Sequence, residues 1–487
     1  MWVAAFAGVA LAVLRERPTV DIDPGIFISI FGALGDGHRL YVDILDNKDP
    51  LFFYTGAIVS SIFGARGLFL LDAALIVCAA VLAALIARER RLGPVATAAT
   101  GIIAAGLMTH PLTYISGMTQ LLAMVLLLGA VYAGLRGAMA VGGALAAAAV
   151  LSKLPMLVFV PALLAFALAL RGPTRTLRSV WSFLGVTALV LAVMAVRGEL
   201  VSYWEAISVN LGYTGRALEV FGSSPAPRGT LSFVWRQFTE PALLLPALWT
   251  AGAGLLATRV LARRWRASGP VAAAQAYPTA VLTLGALISL AIYVSASAFF
   301  AHHLQVFALA AIPASVFLFE EAPTSWLSRS VLPVVLAMIA LWGLPADLTR
   351  IDDVAARWEP LESDVAALVE ASIGPLTTDD PVPYAVAGET AEEAIVWFLD
   401  APYAFSCRFI LQQPWFHGDH FDEHLSCIER EPTVVVSMEP SPVYVAGSSS
   451  YADYWRRLDA LLSGRFTLVG EGENDRGYVR VWVRDPP

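Results

Sequence analysis

Long apolar runs recur along the first 345 residues and are separated by short polar segments. A bilayer-spanning helix needs about 20 apolar residues, and shorter runs can cross where the bilayer thins locally. Ten such runs lie at residues 66–87, 94–109, 119–135, 137–151, 155–171, 178–196, 241–261, 277–297, 303–319 and 329–345. Residues 1–14 form a further, shorter run. The pattern predicts an α-helical polytopic membrane protein with about 11 transmembrane helices.

After residue 345 the pattern changes to short apolar strands that alternate with amphipathic helices. Strands are predicted at Val382–Ala387, Thr433–Ser437, Phe466–Gly470 and Tyr478–Val483, and helices at 353–372, 391–400 and 453–463. Such alternation is typical of a small α/β domain. The sequence therefore predicts a transmembrane domain at 1–345 and a soluble α/β domain at 346–487.

Two of the polar segments are long enough to have structure of their own. The first, residues 15–65, contains apolar stretches at 24–36 and 51–63, which predict interfacial helices lying on the bilayer. The second, residues 197–240, is rich in Tyr and Trp, a composition typical of a membrane-surface belt and also compatible with a lid.

Charge divides the chain in the same way and gives it an orientation. Residues 1–345 carry a net charge of +7 and residues 346–487 a net charge of −15. The C-terminal domain is therefore acidic, which argues against nucleic acid, itself a polyanion, as a partner. Arginines cluster at 88–91, 136, 171–178 and 259–266, at every second loop. The positive-inside rule makes those loops cytoplasmic. We expect a multi-pass protein of the cell membrane, with loops 15–65 and 197–240 and the C-terminal domain extracytoplasmic.

The cysteines and histidines of the C-terminal domain leave two questions open. Cys407 and Cys427 could form a disulfide outside the cytoplasm, but two cysteines alone do not decide it. Residues 416–424 hold three histidines and two aspartates, which is typical of a solvated loop, although such residues could also hold a cation.

Lysine is almost absent from the chain. Two lysines, Lys48 and Lys153, stand against thirty arginines, and both lie at the predicted external ends of apolar helices. An ammonium group is a compact point charge suited to a phosphate oxygen. The two positions predict a lipid-phosphate site, and the alternative is two lysines retained by chance.

The first loop also concentrates acids between its two apolar stretches: Asp21, Asp23, Asp36, Asp43, Asp46 and Asp49. An acidic loop is usually just solvated. Charges close to the membrane are costly and more often functional, so a carboxylate here could act as a general base beside a lipid phosphate.

The loop residues resemble a known class of enzymes. The runs are Asp23-Pro24-Gly25, then Gly37-His38-Arg39-Leu40-Tyr41-Val42-Asp43, then Asp46-Asn47-Lys48-Asp49-Pro50-Leu51. Their order and spacing are similar to the first periplasmic loop of the superfamily C (GT-C) glycosyltransferases, which include protein O-mannosyltransferases and aminoarabinose transferases. The chain departs from that pattern where Asp49 follows Lys48 and where Leu154 follows Lys153.

The resemblance implies a reaction and roles for individual residues. It implies transfer of a sugar, a hexose or a pentose, from a polyprenyl-phosphate donor to a glycan, lipid or protein acceptor. Asp23 would be the catalytic base, with Asp21 as its rival. The donor phosphate would be bound by Lys48 and Lys153, with His302 and His303 assisting or simply lying at the membrane interface. Tyr41, Asp43 and Asp46 would orient the substrate.

Other functions stay open at the level of sequence. A transporter or lipid flippase would be expected to show internal repeats and charges near the bilayer midplane, and a lipid-linked glycan polymerase or ligase would use related donors. No pair of histidines has the spacing of a metal motif, so no metal ligand is assigned. The sequence establishes no cofactor and leaves room for a divalent cation.

Overall fold

The computed structural model describes residues 1–487 except 16–21, 111, 115–116, 209–239, 298–300, 324, 326, 343–363, 374–381, 389–402, 409–419, 441, 475–476 and 487. Within it the chain forms two compact units. The first comprises Met1–Arg17, Phe69–Val190 and Gly229–Ala356. The second comprises Pro18–Leu68, Leu191–Arg228 and Arg357–Pro487. The domain limits predicted at 1–345 and 346–487 stay a prediction.

Fourteen of the described helices precede the C-terminal region. They are α1 (Trp2–Arg15), α2 (Ile22–Gly35), α3 (Pro50–Phe63), α4 (Gly67–Glu89), α5 (Pro94–Met108), α6 (Thr119–Arg136), α7 (Met139–Ser152), α8 (Val160–Arg171), α9 (Pro173–Val196), α10 (Pro241–Ser268), α11 (Pro270–Ala276), α12 (Pro278–Ser297), α13 (Ala308–Glu321) and α14 (Leu332–Ala340). Short 3-10 segments, Leu154–Phe159 and Ala301–Phe307, lead into α8 and α13.

The predicted fold class is confirmed. Each of the eleven predicted apolar runs is helical over most of its length. Among the described residues, seven helical spans are long and apolar enough to cross a membrane, and five shorter helices are also apolar. The chain is a polytopic helical membrane protein.

The helices of the first unit approach one another closely at small residues. A Cβ built at Gly101 of α5 would lie 2.4 Å from the Cβ of Ala4 and 2.7 Å from the carbonyl oxygen of Ala80. A Cβ at Gly143 of α7 would lie 2.0 Å from the carbonyl oxygen of Ser179. In a bilayer the hydrophobic effect does not drive helices together, so their association depends on close packing. Glycine and alanine at these positions let the helix backbones approach closely enough to pack.

Helix α3 continues through a 3-10 turn, Gly64–Arg66, into α4, so that residues 50–89 form one helical stretch of 40 residues. Gly64 has φ 62°, which breaks the helix geometry at the end of α3. The predicted helices at 24–36 and 51–63 are therefore present as α2 and α3, and their place in the membrane interface stays a prediction.

The C-terminal region contains a five-stranded mixed sheet in the order β2-β1-β3-β5-β4. Its strands are β1 (Val382–Ala387), β2 (Tyr403–Phe405), β3 (Val434–Met438), β4 (Phe466–Asn474) and β5 (Gly477–Arg484). Strand β1 pairs in parallel with β2 and β3, and β5 pairs antiparallel with β3 and β4. All four predicted strands are present, and the short strand β2 was not predicted.

Four helices accompany the sheet: α15 (Asp364–Ile373), α16 (Phe421–Arg430), α17 (Pro442–Gly447) and α18 (Ser449–Arg465). Helix α15 covers the described part of the helix predicted at 353–372, and the predicted helix at 391–400 lies outside the described residues. The expectation of a solvated loop at 416–424 is wrong for His424, which lies buried on α16. His424 is buried because it lies on the apolar face of α16, which Phe421, Leu425 and Ile428 form at helical spacing.

The disulfide left open by the sequence is formed between Cys407 and Cys427, which lies on α16. It closes a loop with a sequence separation of 20 residues. Closing a loop of that size stabilises a fold by about 3 kcal/mol in the chain-entropy account.

Candidate functional site

The loop between α2 and α3 is organised around Tyr41. Tyr41 is fully buried and has a φ of 66°, in the left-handed region that a bulky side chain rarely adopts. Its N–H donates to the carbonyl of Ile44 at 2.7 Å, and its hydroxyl donates to the carbonyl of Lys48 at 2.7 Å. Tyr41 thus holds the loop through both its backbone and its side chain, and the strained backbone persists because the surrounding contacts over-determine it.

Lys48 is held at the amino end of α3. Its N–H donates to Asp46 Oδ1 at 2.8 Å, and the same oxygen lies 3.8 Å from its Nζ. The ammonium also lies 5.3 Å from the ring centroid of Phe27 on α2, a cation–π distance. The Lys48 side chain keeps 28% exposure while that of Asp46 keeps 8%, so these contacts orient the ammonium of a partly exposed side chain.

Phe27, which contacts this ammonium, belongs to a cluster of packed aromatic rings. Phe27 and Phe31 of α2 meet Phe52 and Phe53 of α3 with ring centroids 5.0–6.3 Å apart. Gly56 lets Phe31 approach, since a Cβ there would lie 2.1 Å from the ring. The apolar patterning of the two helices therefore fixes the position of the loop between them.

Asp49, the residue before α3, is buried and accepts a hydrogen bond from the Tyr203 hydroxyl at 2.9 Å. Tyr203 lies in a helical segment at residues 200–208, and its ring centroid lies 5.1 Å from that of Tyr41. Burial, followed by the negative charge of Asp49, raises the pKa of both phenols well above the usual range. Both hydroxyls therefore remain protonated and act as donors.

Asp43 forms a local ion pair with Arg39. Its Oδ2 accepts from the backbone N–H of Arg39 at 2.7 Å and from Nε at 3.1 Å, and its Oδ1 accepts from Nη2 at 3.0 Å. The side-chain hydrogen bond from Arg39 lowers the pKa of Asp43 despite partial burial, so this carboxylate stays ionised. Its role toward a substrate stays a prediction.

A buried acid that the sequence did not single out, Glu199, lies beside the same loop. Its side chain is fully buried, and it accepts from Arg197 Nε at 2.7 Å, from the Leu40 N–H at 3.2 Å and from the Tyr54 hydroxyl. Its position in the sequence could have identified it, because an Arg-Gly-Glu run directly follows the long apolar helix α9. Glu199 therefore links Leu40, the residue before Tyr41, to Tyr54 of α3 through hydrogen bonds.

The first unit holds the other predicted phosphate ligands. Lys153 caps the C-terminus of α7, and its Nζ donates to Thr119 Oγ1 at 3.4 Å. Thr119 in turn donates to Gln120 Oε1 at 3.2 Å. Gln120 is buried, and within the described part of the chain its Nε2 has no acceptor. Lys153 therefore begins a short, partly buried polar chain. Sequence reasoning missed the Gln120 amide because a lone Gln in an apolar helix gives no pattern.

The histidines and the acids at the start of the first loop are less completely placed. His303 is partly buried in the 3-10 segment before α13, and the side chain of His302 lies outside the described residues. Asp23 lies in the first turn of α2, but its side chain, like the whole of Asp21, also lies outside them. The assignment of the base and the roles of Lys48, Lys153 and the histidines toward a ligand stay predictions.

The chemistry available among the described residues is that of cations, carboxylates and buried phenols. Within those residues, no group of three or more His, Cys, Asp or Glu side chains is placed to hold a metal ion. Tyr41, Asp46 and Lys48 are brought together in the second unit. Lys153 and His303 belong to the first unit.

No protein-family model matches the chain, and no curated protein matches it. Two solved structures of ArnT from Cupriavidus metallidurans are similar to it, one bound to undecaprenyl phosphate and one in the apo state. They are 15% and 17% identical, cover 100% of this chain and 98% and 99% of their own, and give a TM-score of 0.42 in each case. Similarity at this level assigns no residue a role.

Proposed function

We propose that the protein is a membrane glycosyltransferase that moves a sugar from a polyprenyl-phosphate donor to an acceptor hydroxyl on the extracytoplasmic face. The observation that carries the proposal is the setting of Lys48. The oriented ammonium of a partly exposed side chain lies just before an apolar helix, where a lipid phosphate at the membrane surface would lie. The GT-C-like loop motif surrounds that residue.

The contacts within the loop hold Lys48 in one defined position, which suits it to bind an anion. Tyr41 fixes the Lys48 backbone, Asp46 fixes its N–H, and Phe27 supports its ammonium. Asp46 Oδ1 lies 3.8 Å from Nζ, close enough to orient the ammonium, and the Lys48 side chain keeps 28% exposure. A positioned cation stabilises charge where it develops as the leaving group departs.

The proposed reaction is an inverting displacement at the anomeric carbon. The acceptor hydroxyl attacks that carbon, the bond from the carbon to the phosphate oxygen breaks, and the acceptor proton passes to Asp23 or Asp21 as general base. The polyprenyl phosphate leaves as an anion held by Lys48. The roles of Lys153, His303 and His302 as donor-phosphate ligands stay predictions. Lys153, Thr119 and Gln120 form a chain of donors that suits such a phosphate or a sugar hydroxyl.

The orientation of the site is supported by the disulfide. Disulfides persist in oxidising compartments and are rare in the cytoplasm. The Cys407–Cys427 bond therefore favours an extracytoplasmic C-terminal domain, in agreement with the arginine distribution of the loops.

The test compares undecaprenyl phosphate binding and sugar transfer by purified wild-type protein and by Lys48→Met. Charge-assisted hydrogen bonds contribute about 1.5–3 kcal/mol, so we expect binding to weaken about 10- to 100-fold. Arg66→Met, which removes a cation from the 3-10 turn that follows α3, is the matched control and should bind like wild type.

Equal binding by Lys48→Met and wild type would remove Lys48 from the site. Transfer that survives in both Asp23→Ala and Asp21→Ala would refute the assigned base. Movement of the lipid across the membrane of a reconstituted vesicle without any transfer would favour a flippase.

A further inference from the structure

Arg408 contacts two different parts of the second unit at once. Its guanidinium forms a fork with Glu423 of α16, with Nε 2.6 Å from Oε1 and Nη2 2.7 Å from Oε2. On its other side, Nη1 donates to the carbonyl of Tyr41 at 3.4 Å, and the Arg408 carbonyl accepts from the N–H of Leu45 at 2.7 Å. Arg408 therefore joins helix α16 to the loop that carries Lys48.

The neighbouring disulfide attaches the same segment to the same helix. Cys407 precedes Arg408, and its partner Cys427 lies four residues after Glu423, one turn along α16. A covalent bond and a bidentate ion pair thus hold residues 407–408 on one face of α16. A bidentate Arg–carboxylate pair is valuable chiefly for its defined geometry.

The ion pair contributes little to overall stability. The Glu423 side chain is 46% exposed and that of Arg408 20%, and ion pairs in such surroundings are weak because water screens them. What the pair does is direct the guanidinium and the adjoining carbonyl at the loop. Its consequence should therefore appear in the loop rather than in the melting temperature.

The contacted positions lead directly to the proposed phosphate ligand. Tyr41, whose carbonyl accepts from Arg408, donates its own hydroxyl to the Lys48 carbonyl. Leu45 immediately precedes Asp46, which accepts the Lys48 N–H. Two short paths thus run from Arg408 to Lys48.

We propose that Arg408, secured by the Cys407–Cys427 disulfide, is a positioning residue that holds the 41–48 loop in the arrangement in which Lys48 binds the donor phosphate. The proposal rests on the proposed function for the identity of the ligand. It extends that function by giving the C-terminal domain a part in forming the donor site.

The experiment measures three quantities in the full-length protein: amide hydrogen exchange of a peptide covering 40–48, affinity for undecaprenyl phosphate, and melting temperature. Arg408→Ala should speed exchange in this peptide about 5-fold and weaken the affinity about 10-fold, with a nearly unchanged melting temperature. Arg408→Lys, which keeps the charge without the fork, should fall between Ala and wild type. The Cys407→Ser/Cys427→Ser double variant should speed exchange in the same peptide.

The matched control is Arg457→Ala, which removes an ion pair with Asp422, also on α16, at 2.6 Å. It should leave loop exchange and affinity at wild-type values. Unchanged exchange and affinity in Arg408→Ala, or equal changes in Arg457→Ala, would overturn the proposal. If wild-type protein neither binds undecaprenyl phosphate nor transfers sugar, the proposed function fails, and the exchange measurements still decide whether Arg408 positions the loop.

Discussion

Removing the buried carboxylate of Glu199 should destabilise the second unit more than any exposed acid of the same segment. The Glu199→Ala variant leaves three donors without their acceptor: Arg197 Nε, the Leu40 N–H and the Tyr54 hydroxyl. Breaking a buried ion pair from one side costs about 3–5 kcal/mol. Arg197 is 38% exposed and can rehydrate, so the expected cost is lower, at about 2–3 kcal/mol.

The assay is thermal unfolding of purified protein in detergent. A loss of this size should lower the melting temperature by roughly 4–10 °C. Glu199→Gln keeps an acceptor oxygen and the side-chain volume, so it should lose less than half as much. Glu205→Ala, an exposed position in the same helical segment, serves as control and should shift the midpoint by about 1 °C or less. Equal, small shifts for Glu199→Ala and Glu205→Ala would refute the role assigned to this network.

Three further predictions concern other parts of the molecule. Burial lowers the pKa of His424 to about 3 from an ordinary value of 6.5, so its contribution to stability is complete above pH 6.5 and is lost as the pH falls toward 3. Between pH 7 and pH 4.5 the free energy of unfolding of the wild type should fall by about 2–3 kcal/mol more than that of His424→Leu. Parallel pH profiles of the two proteins would contradict this. Tyr203→Phe, which removes the hydroxyl bonded to Asp49, should cost about 1–2 kcal/mol and weaken undecaprenyl phosphate binding, and unchanged binding would separate this contact from the site. Gly101→Ala should lower the melting temperature by several degrees because its Cβ would meet the Ala80 carbonyl, whereas Gly185→Ala, with open space around it, should not.

The sequence by itself determined the fold class and the location of the candidate loop. Long apolar runs favour helices in lipid because a helix satisfies its backbone groups within one segment, and each predicted run is helical over most of its length. Alternating apolar residues likewise predicted β1, β3, β4 and β5 of the C-terminal sheet. The helix containing His424 was missed because its polar face carries the acids and histidines that are typical of a loop.

Tertiary structure alone decided which distant residues contact the loop that carries Lys48. The 36–49 loop is local in sequence, and its motif made Tyr41, Asp46 and Lys48 candidates. Glu199, Tyr203 and Arg408 reach the loop from positions about 150 or more residues away, and no local periodicity encodes such contacts. Sequence supplies the short-range pattern that forms helices and strands, whereas the pairing of a buried acid with a distant amide depends on how the finished elements pack.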